Sequence, residues 1–166
     1  MNLFIDTTTK YVSIIVFDQN GVERVIQYEG NNDHTTTIYQ HLAEIDLTKL
    51  QAIYVTSGPG SYTGVRIGVL VAKTLAHELH IKLYAINTLE LFYNGTSRAV
   101  LLDARGKKYF KYDGTDFSQI AYDDVTSEFI IDSYVDASWL PNNNITSQFQ
   151  EVSPLELKIE YLKEAI

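Results

Sequence analysis

The chain has 166 residues, 45% of them hydrophobic, no cysteine and a formal net charge of −8. A chain of this length buries roughly 70% of its unfolded surface, as one domain or two small lobes, and it is too apolar to be a disordered segment. The missing cysteines exclude disulfides, thiol catalysis and thiolate metal sites, and the acidic balance argues against unaided binding to a phosphate backbone, which needs clustered Lys and Arg.

No basic stretch precedes the first apolar run, which Asp6 closes, so a secretory signal peptide is not expected. No apolar stretch approaches the roughly 20 residues that span a bilayer. The expected setting is the cytoplasm, away from membranes.

Residues 2–6 (Asn-Leu-Phe-Ile-Asp) and 11–17 (Tyr-Val-Ser-Ile-Ile-Val-Phe) read as strands. Asn20-Gly21 is a strong hairpin turn into a third strand from Val22 to Tyr28. Three consecutive antiparallel strands therefore open the fold. Asn32 or Asp33 is expected to cap a helix that carries Ile38, Leu42 and Ile45 on one stripe. Ala52–Thr56 is a fourth strand, a Gly/Pro turn leads into a second helix to about Leu79, and Ile81–Ile86 is a fifth strand. The order βββαβαβ predicts a mixed α/β sheet.

After Asn94-Gly95 the texture changes. Arg98–Asp103 and Lys108–Tyr112 read as strands around a turn at Gly106, followed by short apolar runs at Phe117–Tyr122 and Glu128–Val135. Pro141-Asn142-Asn143-Asn144 reads as a loop. Ser153-Pro154-Leu155-Glu156 has the form of a capping box with proline at the first helical position. Leu155, Ile159, Leu162 and Ile166 would then share one face of a terminal helix. There is neither an internal repeat nor a low-complexity linker. The break near residue 97 is read as a boundary between an N-terminal lobe, 1–97, and a shortened C-terminal lobe, 98–166.

The most informative stretch is Ser57-Gly58-Pro59-Gly60-Ser61-Tyr62-Thr63-Gly64-Val65-Arg66-Ile67-Gly68. It predicts strand, tight turn, helix: Gly58 and Gly60 permit backbone angles that side chains forbid, and Pro59 fixes its own φ. A turn of this kind aims a helix N-terminus at one spot, which suits an anion. The string is neither a Walker loop nor a dinucleotide-binding Gly-x-Gly-x-x-Gly.

The three opening strands with Asp6-Thr7-Thr8-Thr9 resemble the actin, sugar-kinase and heat-shock-ATPase superfamily, a ribonuclease H-like α/β fold. More narrowly, Ile5-Asp6-Thr7-Thr8, the glycine string and Leu102-Asp103-Ala104-Arg105 are together similar to the TsaB (YeaZ) family. That family is the dimerisation subunit of the bacterial machinery making threonylcarbamoyladenosine in tRNA. The matches run in family order over residues 1–109. The resemblance implies a non-catalytic subunit, without a cofactor, that binds and activates a TsaD-type paralogue. In the family, TsaD carries the metal and transfers the threonylcarbamoyl group, and a TsaE-type ATPase joins the larger complex. It also implies that tRNA is reached only through the complex and leaves a homodimer as a state of the isolated chain. This sequence departs from the family in its short second lobe and in Lys107 and Lys108, where an acidic residue is common.

The alternative from another class is an ATP-dependent kinase or hydrolase using Asp6 and Asp103. Asp6, Thr7 and Thr8 stand where superfamily ATPases hold phosphate and position the metal. Catalysis there needs a glycine-rich hairpin that lets backbone approach the phosphate, and no glycine lies between Asp6 and Asn20. No Asp-x-Gly-Gly-Gly loop follows residue 97 either. The three residues are therefore expected to be a vestigial phosphate site, its hydroxyls satisfying a turn. His77 and His80, with Glu78, are too few for zinc, His34 and His41 stand apart on the first helix, and no metal site is expected. Ser61 does not sit in a Gly-x-Ser-x-Gly elbow.

Gly64, Gly68, Ala72 and Ala76 recur every four residues on the second helix, beside Val65 and Val69. A glycine inside a helix costs about 1 kcal/mol relative to alanine, so close approach of another backbone must offset it. Either the helix packs on its own sheet or it forms a seam with a partner. The family resemblance favours the partner. Ile38, Leu42, Ile45, Gly64, Val65, Gly68, Val69, Ala72 and Ala76 are accordingly the expected partner-binding residues.

Overall fold

A computed structural model describes residues 1–30 and 33–161. Its elements in order are β1 (Asn2–Asp6), β2 (Tyr11–Asp18), β3 (Gly21–Glu29), α1 (His34–Leu42), β4 (Ala52–Thr56), α2 (Tyr62–Leu79), β5 (Lys82–Ile86), α3 (Thr88–Thr96), β6 (Val100–Asp103), β7 (Lys108–Tyr112), β8 (Phe117–Ala121), β9 (Phe129–Ile130), α4 (Asn143–Thr146) and β10 (Gln150–Val152). The first five strands fall where the apolar runs predict them.

The larger sheet has six strands in the order β10-β5-β4-β1-β2-β3, and the smaller has four in the order β8-β7-β6-β9. β1 runs parallel to β4, and β4 parallel to β5, with Ile5 opposite Val55 and Thr56 opposite Ile86. β2 and β3 continue antiparallel through the two hairpins. The fold is a mixed α/β one of the actin-like, ribonuclease H-like class.

Side chains alternate across the large sheet, as the pleat requires. Leu3, Ile5, Ile53 and Val55 face α1 and α2 in one core. Phe4, Ile15 and Phe17 face α3 and the small sheet in a second core. In that second core, Tyr54 stacks on Tyr84 with ring centroids 4.9 Å apart and meets Phe149 edge-on at 5.1 Å. The two cores share only the sheet between them.

Several expectations need correction. α1 ends at Leu42, so Ile45 lies past the helix although it is still buried. Asp33 is the N-cap, and Asn32 lies outside the described residues. Helix α3 was not foreseen. Its signature is Asn87-x-x-Glu90, in which the Asn87 Oδ1 accepts from the Leu89 N–H at 2.8 Å and Glu90 accepts from the Asn87 backbone, a capping box. The expected loop at 141–144 holds the start of α4, whose N-cap is Asn142.

The C-terminal part also differs. β10 pairs antiparallel with β5, so the chain beyond residue 97 builds the small sheet and then returns to the large one. Ser153–Glu156 makes a turn and no helix follows through Tyr161. Leu157, not the exposed Leu155, is the residue that enters the core. Leu162 and Ile166 of the expected helical face lie outside the described residues.

Candidate functional site

Three parallel strands end side by side at Asp6, Thr56 and Ile86, and in open α/β sheets a ligand crevice lies outside such carboxyl ends. Asp6 is buried there. One of its oxygens, Oδ1, accepts from the Thr8 N–H at 3.0 Å, the Thr8 hydroxyl at 2.7 Å and the Thr56 hydroxyl at 2.6 Å. Burial pushes the Asp6 carboxyl above its ordinary value, while the bonds from Thr56 and Thr8 pull the other way. Thr7 and Thr8 are buried with it, and the Thr7 hydroxyl donates to the Gly64 carbonyl at 2.6 Å. The threonine hydroxyls satisfy local turns and α2, as the sequence suggests.

The glycine string explains that burial. It packs directly on the loop after β1, and the Ser61 N–H donates to the Thr8 carbonyl at 2.6 Å. A Cβ at position 60 would collide with the Thr8 carbonyl oxygen. One at 64 would strike the Thr7 carbonyl oxygen, and one at 68 the Thr7 hydroxyl. Of the two turn glycines, Gly58 has the positive φ, +109°. Gly60 has no positive φ and is needed for space, which corrects the conformational role expected for it. The chain's own turn thus packs against Thr7 and Thr8, the two residues that follow Asp6.

The opposite wall of the crevice comes from the small sheet. The Asp103 Oδ1 accepts from the Arg105 N–H at 2.8 Å and from the Tyr122 hydroxyl at 2.7 Å. That bond is the main reason the Tyr122 phenol is pushed up to about 12. A cavity of about 430 Å³ lies between the walls, with Pro59, Tyr62 and Arg66 on one side and Asp103, Arg105 and Phe110 on the other. A smaller one, about 240 Å³, touches Thr8, Lys10, Ser61 and Arg105 but neither Asp6 nor Thr7.

Residues 157–161 close one end of this cleft. The Glu160 carboxylate accepts from the Ser57 hydroxyl at 2.8 Å and from the Asn87 Nδ2 at 2.7 Å. The Glu160 N–H donates to the Ser57 carbonyl at 2.9 Å. Glu90 lies nearby: burial first, and the Glu160 charge second, raise its carboxyl above the ordinary value. Sequence reasoning missed this group. The capping pattern at Asn87 was the available signal for its α3 half.

The expected partner-binding residues lie inside the chain. Ile38, Leu42, Ile45, Val65, Val69, Ala72 (0% exposed) and Ala76 all belong to the core between the large sheet and α1/α2, and Gly64 and Gly68 are buried against Thr7. The small-residue stripe is therefore a seam with the chain's own β1–β2 loop and sheet, and its placement on a partner surface is corrected. The outward side of α2 carries Tyr62, Arg66, Leu70, Thr74 and His77, and that of α1 carries Tyr39. Leu70 is 62% exposed and Tyr39 55%. Arg66 lies over the Tyr62 ring, 4.0 Å from its centroid.

His80 forms the left-handed C-cap of α2, with its ring 6.5 Å from that of His77. Among the described residues, no three or more His, Asp or Glu side chains are grouped to hold a metal ion. No described helix is long and apolar enough to cross a membrane.

A mixed sheet with a crevice at the carboxyl ends of β1, β4 and β5, beside a glycine turn, defines an actin-like, ribonuclease H-like lobe. Residues 33–153 match the family TsaD, tRNA N6-adenosine threonylcarbamoyltransferase. The chain is 57% identical over 49 residues to the tRNA threonylcarbamoyladenosine biosynthesis protein TsaB of Bacillus subtilis, covering 30% of this chain and 20% of that protein. It is 30% identical over 102 residues to the TsaB of Escherichia coli, covering 58% and 44% respectively. The solved structure of YeaZ from Pseudomonas aeruginosa has a TM-score of 0.70 to this chain at 17% identity, covering 97% of this chain and 99% of that one. The chain belongs to the TsaD family and, within it, to the TsaB/YeaZ group. The matched segments span half or less of the length of these curated relatives.

Proposed function

We propose that the chain is a non-catalytic, TsaB-like accessory subunit in the synthesis of threonylcarbamoyladenosine in tRNA, acting in the cytoplasm. It binds a TsaD-type paralogue and activates it by holding it in a working arrangement. A TsaE-type ATPase joins the larger complex, and tRNA is reached only through that complex. The observation that carries the reading is the turn at Gly60–Ser61 lying on the Thr8 carbonyl, with Gly64 and Gly68 against Thr7. Phosphoryl transfer rests on positioning and electrostatic stabilisation of the phosphate, and the close packing of the turn on Thr7 and Thr8 supports a loop without that role. The partner contact falls on the outward sides of α1 and α2, at Tyr39, Tyr62 and Leu70, in place of the buried stripe. A stable interface buries about 1,600 Å² in total, an extent that two helices from each subunit supply.

The test is a pair of measurements on the full chain. Calorimetric titration with ATP and magnesium is expected to give no binding heat, and co-expression with a TsaD-type protein is expected to yield a complex. Turnover of ATP by the isolated chain that vanishes in Asp6→Ala would overturn the accessory reading.

A further inference from the structure

Ser57 and Asn87 are 2% and 3% exposed, yet each sends a polar group out of the fold to one carboxylate. The Ser57 hydroxyl has a second acceptor in the Ile86 carbonyl at 3.2 Å, so it is the Asn87 amide, a buried donor for which a missing partner is unfavourable, that calls for an acceptor at this place. A carboxylate is the suitable one, because it accepts on both oxygens and carries no proton of its own to place. The two donors take one oxygen each, Oε1 from Ser57 and Oε2 from Asn87.

The main chain of the occupant is read as well. The Glu160 N–H donates to the Ser57 carbonyl at 2.9 Å, and the Leu157 carbonyl accepts from the Lys73 Nζ at 3.1 Å. Leu157 itself sits in the core beside α2. Gly58 leaves room for the approach, since a Cβ there would come within 2.7 Å of the Glu160 carbonyl oxygen. A polar pair, a backbone acceptor and an apolar seat three residues upstream form a built site for a peptide segment that carries a carboxylate.

We infer that Ser57 and Asn87 form a carboxylate-binding subsite for a peptide segment, filled in this chain by its own Glu160, so that residues 157–161 are an intramolecular ligand that closes the cleft. Ile159, Glu160 and Tyr161 then form one wall of the 430 Å³ cavity. Undocking of the segment removes that wall and frees the subsite for another carboxylate. The inference concerns the chain by itself and does not depend on the proposed pathway.

Two variants of the full chain test it. Glu160→Ala vacates the subsite, and titration with sodium acetate, read on the amide resonances of Ser57, Asn87 and Leu89, is expected to saturate. The unmodified chain is expected to show no saturable response at those amides. Asn87→Asp keeps a side-chain acceptor for the Leu89 N–H, which preserves the cap of α3, but sets an anion against Glu160. Hydrogen exchange at the Glu160 amide is then expected to speed up by about tenfold or more while α2 amides keep their protection. The assignment fails if acetate gives no saturable shift in Glu160→Ala, or shifts only resonances near Arg66 and Arg105. It also fails if the Glu160 amide is equally protected in Asn87→Asp.

Discussion

Thr7 and Gly68 meet inside the fold: the Thr7 hydroxyl lies where a Cβ at position 68 would be, and its proton goes to the Gly64 carbonyl at 2.6 Å. One threonine thus ties the loop after β1 to the first turn of α2 and packs on the second. The glycines of the 57–68 string form three contacts in succession, Gly60 on Thr8, Gly64 on the Thr7 backbone and Gly68 on the Thr7 side chain. The string is a docking ramp for the chain's own first loop.

Gly68→Ala sets two effects against each other. Alanine in a helix interior gains about 1 kcal/mol over glycine, whereas overpacking a tight contact typically costs about 1–3 kcal/mol. Here the added methyl also displaces a buried hydroxyl from its acceptor, so the loss should win. A net destabilisation of about 1–2 kcal/mol is expected in urea unfolding. A variant as stable as the original chain would show that the Thr7 contact relaxes without cost.

How much of this was legible in the sequence depends on distance along the chain. The five strands of the first half and α2 follow from local periodicity, and the Asn20-Gly21 hairpin from turn chemistry. The glycines at 60, 64 and 68 are visible as a pattern, but their partners, Thr7 and Thr8, lie far back in the chain and are set by the parallel pairing of β1 with β4. A stripe of small residues reads alike whether the neighbouring backbone is the chain's own or another's, which is why residues buried in the chain's own core read as a partner surface. β10 and the Glu160 contact are three-residue or single-residue features of long sequence separation, with no periodicity to betray them. α3 was legible from Asn87-x-x-Glu90 and was missed because its apolar residues run together with those of β5.

Glu128 gives a pH signature in the small sheet. Its carboxylate pairs with the Lys111 ammonium at 2.7 Å and accepts from the Thr126 and Ser127 N–H groups at 2.9 and 3.1 Å. Lys111 first, then the Thr126 N–H, hold it down to about 2 from an ordinary 4.5. A depressed folded-state value contributes stability above the unfolded one and loses it as pH falls. The stability gap between the original chain and Glu128→Gln should therefore be full at neutral pH and shrink between 4.5 and about 2. Thermal unfolding across that range checks it, and a gap independent of pH would rule the pairing out as its source.

Asp6 should behave with the opposite sign. Burial raises its carboxyl above 3.8 in the fold, so the ionised form is penalised there relative to the unfolded chain. The penalty is absent where the group is protonated in both states and grows as pH rises from 3.8 through the raised value. Asp6→Asn lacks this titration. Relative to that variant, the original chain should gain stability on acidification from neutral pH toward 4, measured by denaturant midpoints. A relative loss over the same interval would mean that the Thr8 and Thr56 hydrogen bonds outweigh burial.

The interface prediction rests on two neighbouring positions of α2 that face opposite ways. Ala72 has no exposed surface and lies in the core against the large sheet, while Leu70 is 62% exposed on the outward side. Glutamate at position 72 would bury an unpaired charge, a cost of several kcal/mol that a domain with a typical 5–15 kcal/mol of stability meets only with difficulty. Ala72→Glu is therefore expected to unfold or severely destabilise the isolated chain, which circular dichroism reports directly. Leu70→Glu places its charge in water, so the chain should keep its fold within about 0.5 kcal/mol. If α2 presents this face to the TsaD-type partner, Leu70→Glu should nonetheless abolish co-purification, because the same charge is desolvated on docking. A folded Leu70→Glu variant that still forms the complex with undiminished affinity would remove α2's outward side from the interface.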